Sequence, residues 1–342
     1  MKINFILIFT CLSGLAISQN LDYSFVVLGC NRVENGDTVG NPSTANVYQL
    51  NRVFDEVSKL KPLPTYLFFA GDLIVGYEKD TVRLARELQS WIGLYKKSPL
   101  SKTSVKLVAL PGNHESDNKV NGQKVPVATA ERVFVRVMKD YIVGSNGPHP
   151  TGLTLGSDSL TTDQSRLTYS FDFKGDHYIM LNSDPVGQDS RIPDNWVEND
   201  IRNAHKKGAR HIFAIAHKPA YTSRFEKGAA GLDIFPSKRD SFWTCMENNK
   251  AEAMFCAHDH VWDSIQPHKG KTWMIIAGNA GSKSPANWSN PPYSYFGYTL
   301  VNLYKDSKVE VVSMGRDVKM DSYNLPAPEA PTTVRARFYL NQ

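Results

Sequence analysis

Residues 103–115 read TSVKLVALPGNHE, an apolar run that ends directly in Pro111-Gly112-Asn113-His114-Glu115. The run predicts a strand. Its polar residues fall just past the C-terminal end, where α/β folds place their ligand-binding loops. The same arrangement recurs elsewhere in the chain. Residues 66–70 lead into Gly71-Asp72, residues 210–216 into His217-Lys218-Pro219, and residues 252–256 into Ala257-His258-Asp259-His260. Each piece alone is a weak signal, because GD and HxH are common and a single buried histidine usually makes an ordinary hydrogen bond. Four such pieces, each directly after an apolar strand, are hard to produce by accident.

Outward from these runs, strand-like and helical patterns alternate. Residues 23–29 read as a buried strand. A helix follows with Val47, Leu50, Phe54, Val57 and Leu60 on one face, and Ser43 or Thr44 is placed to cap it. Further helices are expected near 79–97, 127–142, 193–207 and 238–249. A hairpin is expected around Lys174-Gly175-Asp176, and strands at 272–277, 297–304 and 308–314. Residues 116–165 are polar and glycine-rich apart from one helix, which reads as an insertion over one face. Residues 321–342 read as a C-terminal tail. One α/β domain over residues 19–320, made of two packed sheets with outer helices, is the economical architecture.

The 342 residues are 41% hydrophobic and 21% charged, an ordinary globular composition that excludes a disordered chain, and no fibrous or repeat pattern occurs. Residues 3–17 form the one long apolar run, preceded by Lys2 and closed by Ala16-Ile17-Ser18. It is short for a membrane span and carries a small-x-small signal, so residues 1–18 read as a secretory signal peptide. A lipid anchor on Cys11 is the weaker alternative. The expected location is therefore secreted or periplasmic, with no stable membrane anchor. Cleavage leaves 38 basic against 34 acidic residues, a net of +4 spread without a basic block, which gives no reason to expect nucleic acid. Cys30, Cys245 and Cys256 would remain, too few for a disulfide scaffold.

The ordered set of motifs resembles the calcineurin-like metallophosphoesterase family over about residues 23–315. That resemblance implies a single-domain β-sandwich flanked by helices, with a two-metal site at one sheet edge. The family pattern is D-x-H, GD, GNH(D/E), H and GHxH, matched here by Asp72 in GDLIVG, Asn113 and His114 in GNHE, His217 in AHKP, and His258 and His260 in AHDH. By resemblance Asp72 bridges the metals, Asn113, His217 and His258 complete one site, and His260 belongs to the other. His114 would be the acid that assists the leaving oxygen, with Glu115 either orienting it or facing solvent. Purple acid phosphatases match less well, since their tyrosine ligand lies three residues after the GD aspartate and Val75 stands there. The implied activity is hydrolysis of a small-molecule phosphoester by a phosphatase or phosphodiesterase. One or two divalent cations (zinc, manganese or iron) would supply a metal-bound hydroxide for in-line attack on phosphorus. Neutral imidazoles, one carboxylate and a carboxamide hold such cations without cancelling their charge.

The first motif departs from the pattern. Where D-x-H belongs, the chain reads Cys30-Asn31-Arg32. Arginine stays protonated and does not bind metal. Three readings stand side by side. Cys30 is a thiolate ligand to a borderline-soft cation. Alternatively only the complete site holds metal, and Arg32 supplies missing positive charge as a catalytic group. In the third, the chain is a degenerate relative that binds a phosphorylated or carbohydrate ligand without turnover. Cys30 as a packed thiol or half of a bridge to Cys256, and Arg32 as a surface ion-pair partner, are the bland alternatives. Tyr77, Tyr221, Trp262, Trp288, Tyr293 and Tyr295, with Lys218, Arg224 and Lys283, are candidates for the rim of the site.

Overall fold

The computed structural model describes residues 20–34, 40–150, 158–223, 228–285, 294–326 and 330–340. The proposed signal peptide and the rim candidates Arg224, Trp288 and Tyr293 lie outside them. The first half of the chain builds β1 (Leu21–Leu28), α1 (Val47–Ser58), β2 (Tyr66–Ala70), α2 (Thr81–Lys97) and β3 (Lys106–Leu110). The one-turn α3 (Asn113–Ser116) follows, and residues 116–165 then contain the hairpin β4 (Asp117–Val120) and β5 (Gln123–Pro126), and α4 (Ala128–Val137). The second half gives β6 (Tyr169–Phe173), β7 (Asp176–Leu181), α5 (Asp194–Lys206), β8 (Ile212–Ala216), α6 (Pro236–Asn248) and β9 (Ala253–Cys256). It closes with β10 (Trp262–Ile265), β11 (Trp273–Ala277), β12 (Tyr295–Tyr304), β13 (Val309–Asp317) and β14 (Thr333–Tyr339).

Two six-stranded sheets stack face to face, ordered β14-β13-β12-β1-β2-β3 and β10-β11-β9-β8-β7-β6. Phe25 of β1 shows how they meet. Its ring lies edge-on to Phe68 in its own sheet and to Tyr178, Phe213 and Phe255 across the sandwich, with centroids 5.5–5.6 Å apart. Helices cover the outer faces. Leu50, Val53, Phe54 and Val57 of α1 pack inward at helical spacing, and Trp91 of α2 stacks its edge on Phe69 and Phe54. On the other face Val197 and Ile201 of α5 join Phe242, Trp243 and Met246 of α6 over β7, β8 and β9. Strands β1, β2 and β3 are mutually parallel, as are β7, β8 and β9. Their C-terminal ends share one edge, where the backbone N–H of Gly29 donates to Ala277 O across the sandwich at 2.9 Å.

Three local expectations change. The cap of α1 is Asn46, whose side chain accepts from the Gln49 N–H, because Thr44 Oγ1 is already accepting from Val75 N and Ser43 bonds Asn41. The tail of residues 321–342 contains β14, which pairs antiparallel with β13 and closes the sheet. Apolar Val334, Ala336 and Phe338 alternate with arginines there, and Phe338 packs on Trp273, whose indole donates to Leu340 O. Cys30, Cys245 and Cys256 are all free thiols, so no bridge joins Cys30 to Cys256.

Candidate metal centre

The loops after β1, β2 and β9 each place a non-glycine residue in the left-handed region: Cys30 (φ 59°), Asp72 (φ 57°) and His258 (φ 63°). Each such conformation costs about 1–3 kcal/mol. Cross-loop bonds hold them. Cys30 N–H donates to Gly71 O at 3.0 Å, Asn31 N–H to Asp72 O at 2.9 Å, and His258 N–H to Cys30 Sγ at 3.1 Å. Glu115 adds the strongest tie. Its buried carboxylate accepts from the backbone N–H groups of Asp72, Leu73, Ile74 and Gly112 at 2.7–3.1 Å. It therefore clamps the β2 loop to the β3 loop, and does not face solvent. Gly76 is required here: at φ 55° its backbone passes so close that a Cβ would sit 1.7 Å from His114 O.

Four donor atoms converge behind this clamp. His217 Nε2 lies 3.2 Å from Asp72 Oδ1, 3.0 Å from Asn113 Oδ1 and 3.2 Å from His258 Nδ1, and that last atom is 3.0 Å from Asn113 Oδ1. His217 Nδ1 donates to Ala70 O at 2.7 Å, so Nε2 of the neutral ring carries a lone pair. The Asn113 amide donates to the Tyr77 hydroxyl, which turns its oxygen inward. The lone pairs of His217 Nε2, Asn113 Oδ1 and Asp72 Oδ1 thus crowd one buried space beside His258 Nδ1, where a proton or a cation relieves them. Bonds of about 2.0–2.2 Å to one cation space neighbouring ligand atoms by about 3.0–3.5 Å, so the residues fit. Burial disfavours charge on Asp72, yet His114, His217 and Arg32 hold its carboxyl well below the usual range. Burial works against charge on His217 too, and Asp72 overcomes it and raises that ring. Burial and the neighbouring His217 push His258 well down.

The second half of the site is built differently. Donor atoms of Cys30, Asp72 and His260 lie within 4.8 Å of one another. Among them sits the guanidinium of Arg32, with Nε 3.4 Å from Asp72 Oδ2 and Nη2 3.4 Å from His260 Nε2. Arg32 is thus inside the site and no surface ion-pair partner. Burial and Asp72 push the Cys30 thiol well above its ordinary range. Burial and Arg32 bring His260 down to about 4.

His114 donates from Nδ1 to Val75 O, and its Nε2 stands 3.9 Å from Asp72 Oδ2. Burial lowers it to about 3. Tyr77 covers this ring at 4.0 Å, and Lys124 of the β4–β5 hairpin lies over the tyrosine with Nζ 3.8 Å from the ring centre. Lys124 carries no motif and escapes any sequence reading. Of the rim candidates among the described residues, Tyr77 reaches the centre. Lys218 is buried against Asp184, Asp189 and Ser190, Tyr295 bonds Ser313, Trp262 bonds Thr299, Tyr221 bonds His268, and Lys283 pairs with Glu34.

A model of the calcineurin-like phosphoesterase family matches residues 26–262. Over 99 residues the sequence is 26% identical to probable purple acid phosphatase 20 of Arabidopsis thaliana, and over 103 residues 23% identical to purple acid phosphatase 21 of the same plant. These matches take in 29% and 30% of this chain and only 23% of either relative. Purple acid phosphatase PPD1 from yellow lupin (Lupinus luteus) aligns with a TM-score of 0.56 at 13% identity, over 93% of this chain and 53% of that one. A dimetal phosphatase from Danio rerio aligns at 0.52 and 11%, over 88% of this chain and 98% of that one. These structures share the helix-flanked β-sandwich. Where purple acid phosphatases were expected to carry a tyrosine, position 75 is a valine whose carbonyl serves His114, and the Tyr77 phenol serves Asn113.

Proposed function

This chain belongs to the calcineurin-like phosphoesterase family, and on that premise we propose that it is an exported, metal-dependent hydrolase of small-molecule phosphoesters. One observation carries the proposal: Asp72 Oδ1, Asn113 Oδ1 and His258 Nδ1 gather within 3.2 Å of His217 Nε2 in one buried space. A divalent cation held there would acidify water and offset charge on phosphoryl oxygens. Zinc, manganese and iron suit this mixed oxygen and imidazole set.

The remaining residues have separable tasks. Ala70 O fixes the His217 tautomer, Tyr77 fixes the Asn113 amide, and Glu115 fixes the strained turn that presents Asp72. His114 keeps its proton on Nδ1, so Nε2 is free to take a proton and deliver it to a leaving oxygen. Export rests on the sequence of residues 1–18. Among the described residues no helix is long and apolar enough to cross a membrane.

Replacing His217 or Asp72 by alanine should abolish both cation binding and turnover of p-nitrophenyl phosphate. Undiminished turnover in either variant would sink the hydrolase reading. Arg32 inside the site favours a second reading, binding without catalysis. A protein that takes up a cation and inorganic phosphate but cleaves no ester would establish it.

A further inference from the structure

We infer that the Arg32 guanidinium takes the place of a second cation, so that the chain works with one cation and an arginine oxyanion site that selects terminal phosphoryl groups. The inference rests on the hydrolase reading above and deepens it.

Cys30, Asp72 and His260 have the spacing of a three-ligand cation set. Each nonetheless already has a contact within the protein, and two of the three face Arg32. His260 Nδ1 donates to Lys283 O at 2.8 Å, which leaves a single lone pair on Nε2, and Arg32 Nη2 faces it. Asp72 divides its oxygens, Oδ1 toward His217 and Oδ2 toward Arg32 Nε. Cys30 Sγ accepts from the His258 N–H. Arg32 is not a stray surface side chain. Its backbone bridges to Ala45, its carbonyl accepts from Ser282 Oγ at 2.9 Å, and its side chain is 19% exposed. A dication in this pocket would face a permanent positive charge with one carboxylate to offset both.

What the guanidinium offers follows from its shape. Nε–H and one Nη2–H point into the protein, and the end-on fork of Nη1 and Nη2 has no hydrogen-bond partner among the described residues. That fork matches two oxygens on one phosphorus. A terminal phosphoryl group carries three unsubstituted oxygens and can give two to Arg32 with one left for the Asp72–His217 side. A diester has two in all. Lys124, above Tyr77 and His114, adds a second positive charge on the same side. Phosphate monoesters, and inorganic phosphate as their product, are therefore the ligands this site fits.

The test is elemental analysis of the purified protein after loading with Zn²⁺ or Mn²⁺ and desalting, with calorimetric titration of inorganic phosphate. Wild type should hold one cation per chain, as should Cys30→Ala. Arg32→His should rise toward two, and Cys30→Ala added to it should return to one. Arg32→Ala should weaken phosphate binding about ten- to a hundredfold, with Arg32→Lys in between and both still folded by circular dichroism. Turnover of p-nitrophenyl phosphate should exceed that of bis(p-nitrophenyl) phosphate in wild type, and the ratio should collapse in Arg32→Ala. Two cations in wild type, falling to one in Cys30→Ala, would overturn the inference. So would unchanged phosphate affinity in Arg32→Ala, whatever the metal content. No cation in any variant would overturn the hydrolase reading and the one-cation half of the inference with it, and the phosphate titration would still decide the arginine.

Discussion

The two halves of the site share Asp72 and little else. On the His217 side neighbours turn the ligand atoms inward, Ala70 O for His217 and Tyr77 for Asn113. On the His260 side similar donor types converge, and a cationic side chain of the protein itself sits among them. A list of ligand-type residues would score both halves alike. The difference lies in what fills the space between the donors, and it teaches that coordination capacity depends on unclaimed lone pairs.

The largest effect should come from breaking the complete half. His217→Ala should lose cation binding and at least about a thousandfold in turnover, since metal activation of water and charge stabilisation vanish together. A variant that still binds and turns over would equate the two halves. Glu115→Ala comes next. It strands four buried N–H groups at roughly 1–3 kcal/mol each before relaxation, so a loss of several kcal/mol in urea unfolding is expected, with cation affinity falling alongside. Full stability would mean that the strained Asp72 turn holds itself.

Tyr77→Phe should cost about ten- to a hundredfold in cation affinity, as loss of a hydrogen bond that orients a ligand commonly does. If phosphate binding falls and cation affinity does not, the tyrosine serves substrate and not Asn113. Cation loading should raise the melting temperature of wild type, because ligand at about a thousand times Kd stabilises by about 4 kcal/mol. His217→Ala should show no such rise, whereas Cys30→Ala should keep it. The smallest change should come from Lys124→Gln, a few-fold weaker phosphate binding that fades as salt is raised. A salt-independent loss would point to hairpin packing in place of charge.

Much of this was readable from the chain. The apolar runs before Asp72, Asn113, His217 and His258 announced strands, and the structure brings the ends of those strands and their four motifs to one edge. Glu115 was visible as a residue, but its four backbone bonds were not, because a carboxylate beside a histidine motif reads equally well as solvent-facing. β14 escaped notice because two arginines interrupt its apolar residues, and what anchors it is Trp273, far away in sequence. Tyr77 carried no ligand spacing, and Lys124 is brought over Tyr77 only by the pairing of a two-strand hairpin.

Hydrophobic periodicity along the chain was enough for the sandwich, and motifs that each follow a strand were enough for the residue types of the proposed cation site. The sequence left Cys30 and Arg32 with several readings. Which way they face came from the folded chain, because the positions of Asp72 and His260 relative to Arg32 are set by loops of two different sheets. Hydrogen-bond direction then did the rest: because His260 Nδ1–H donates to Lys283 O, one lone pair remains on Nε2, and Arg32 is the group beside it.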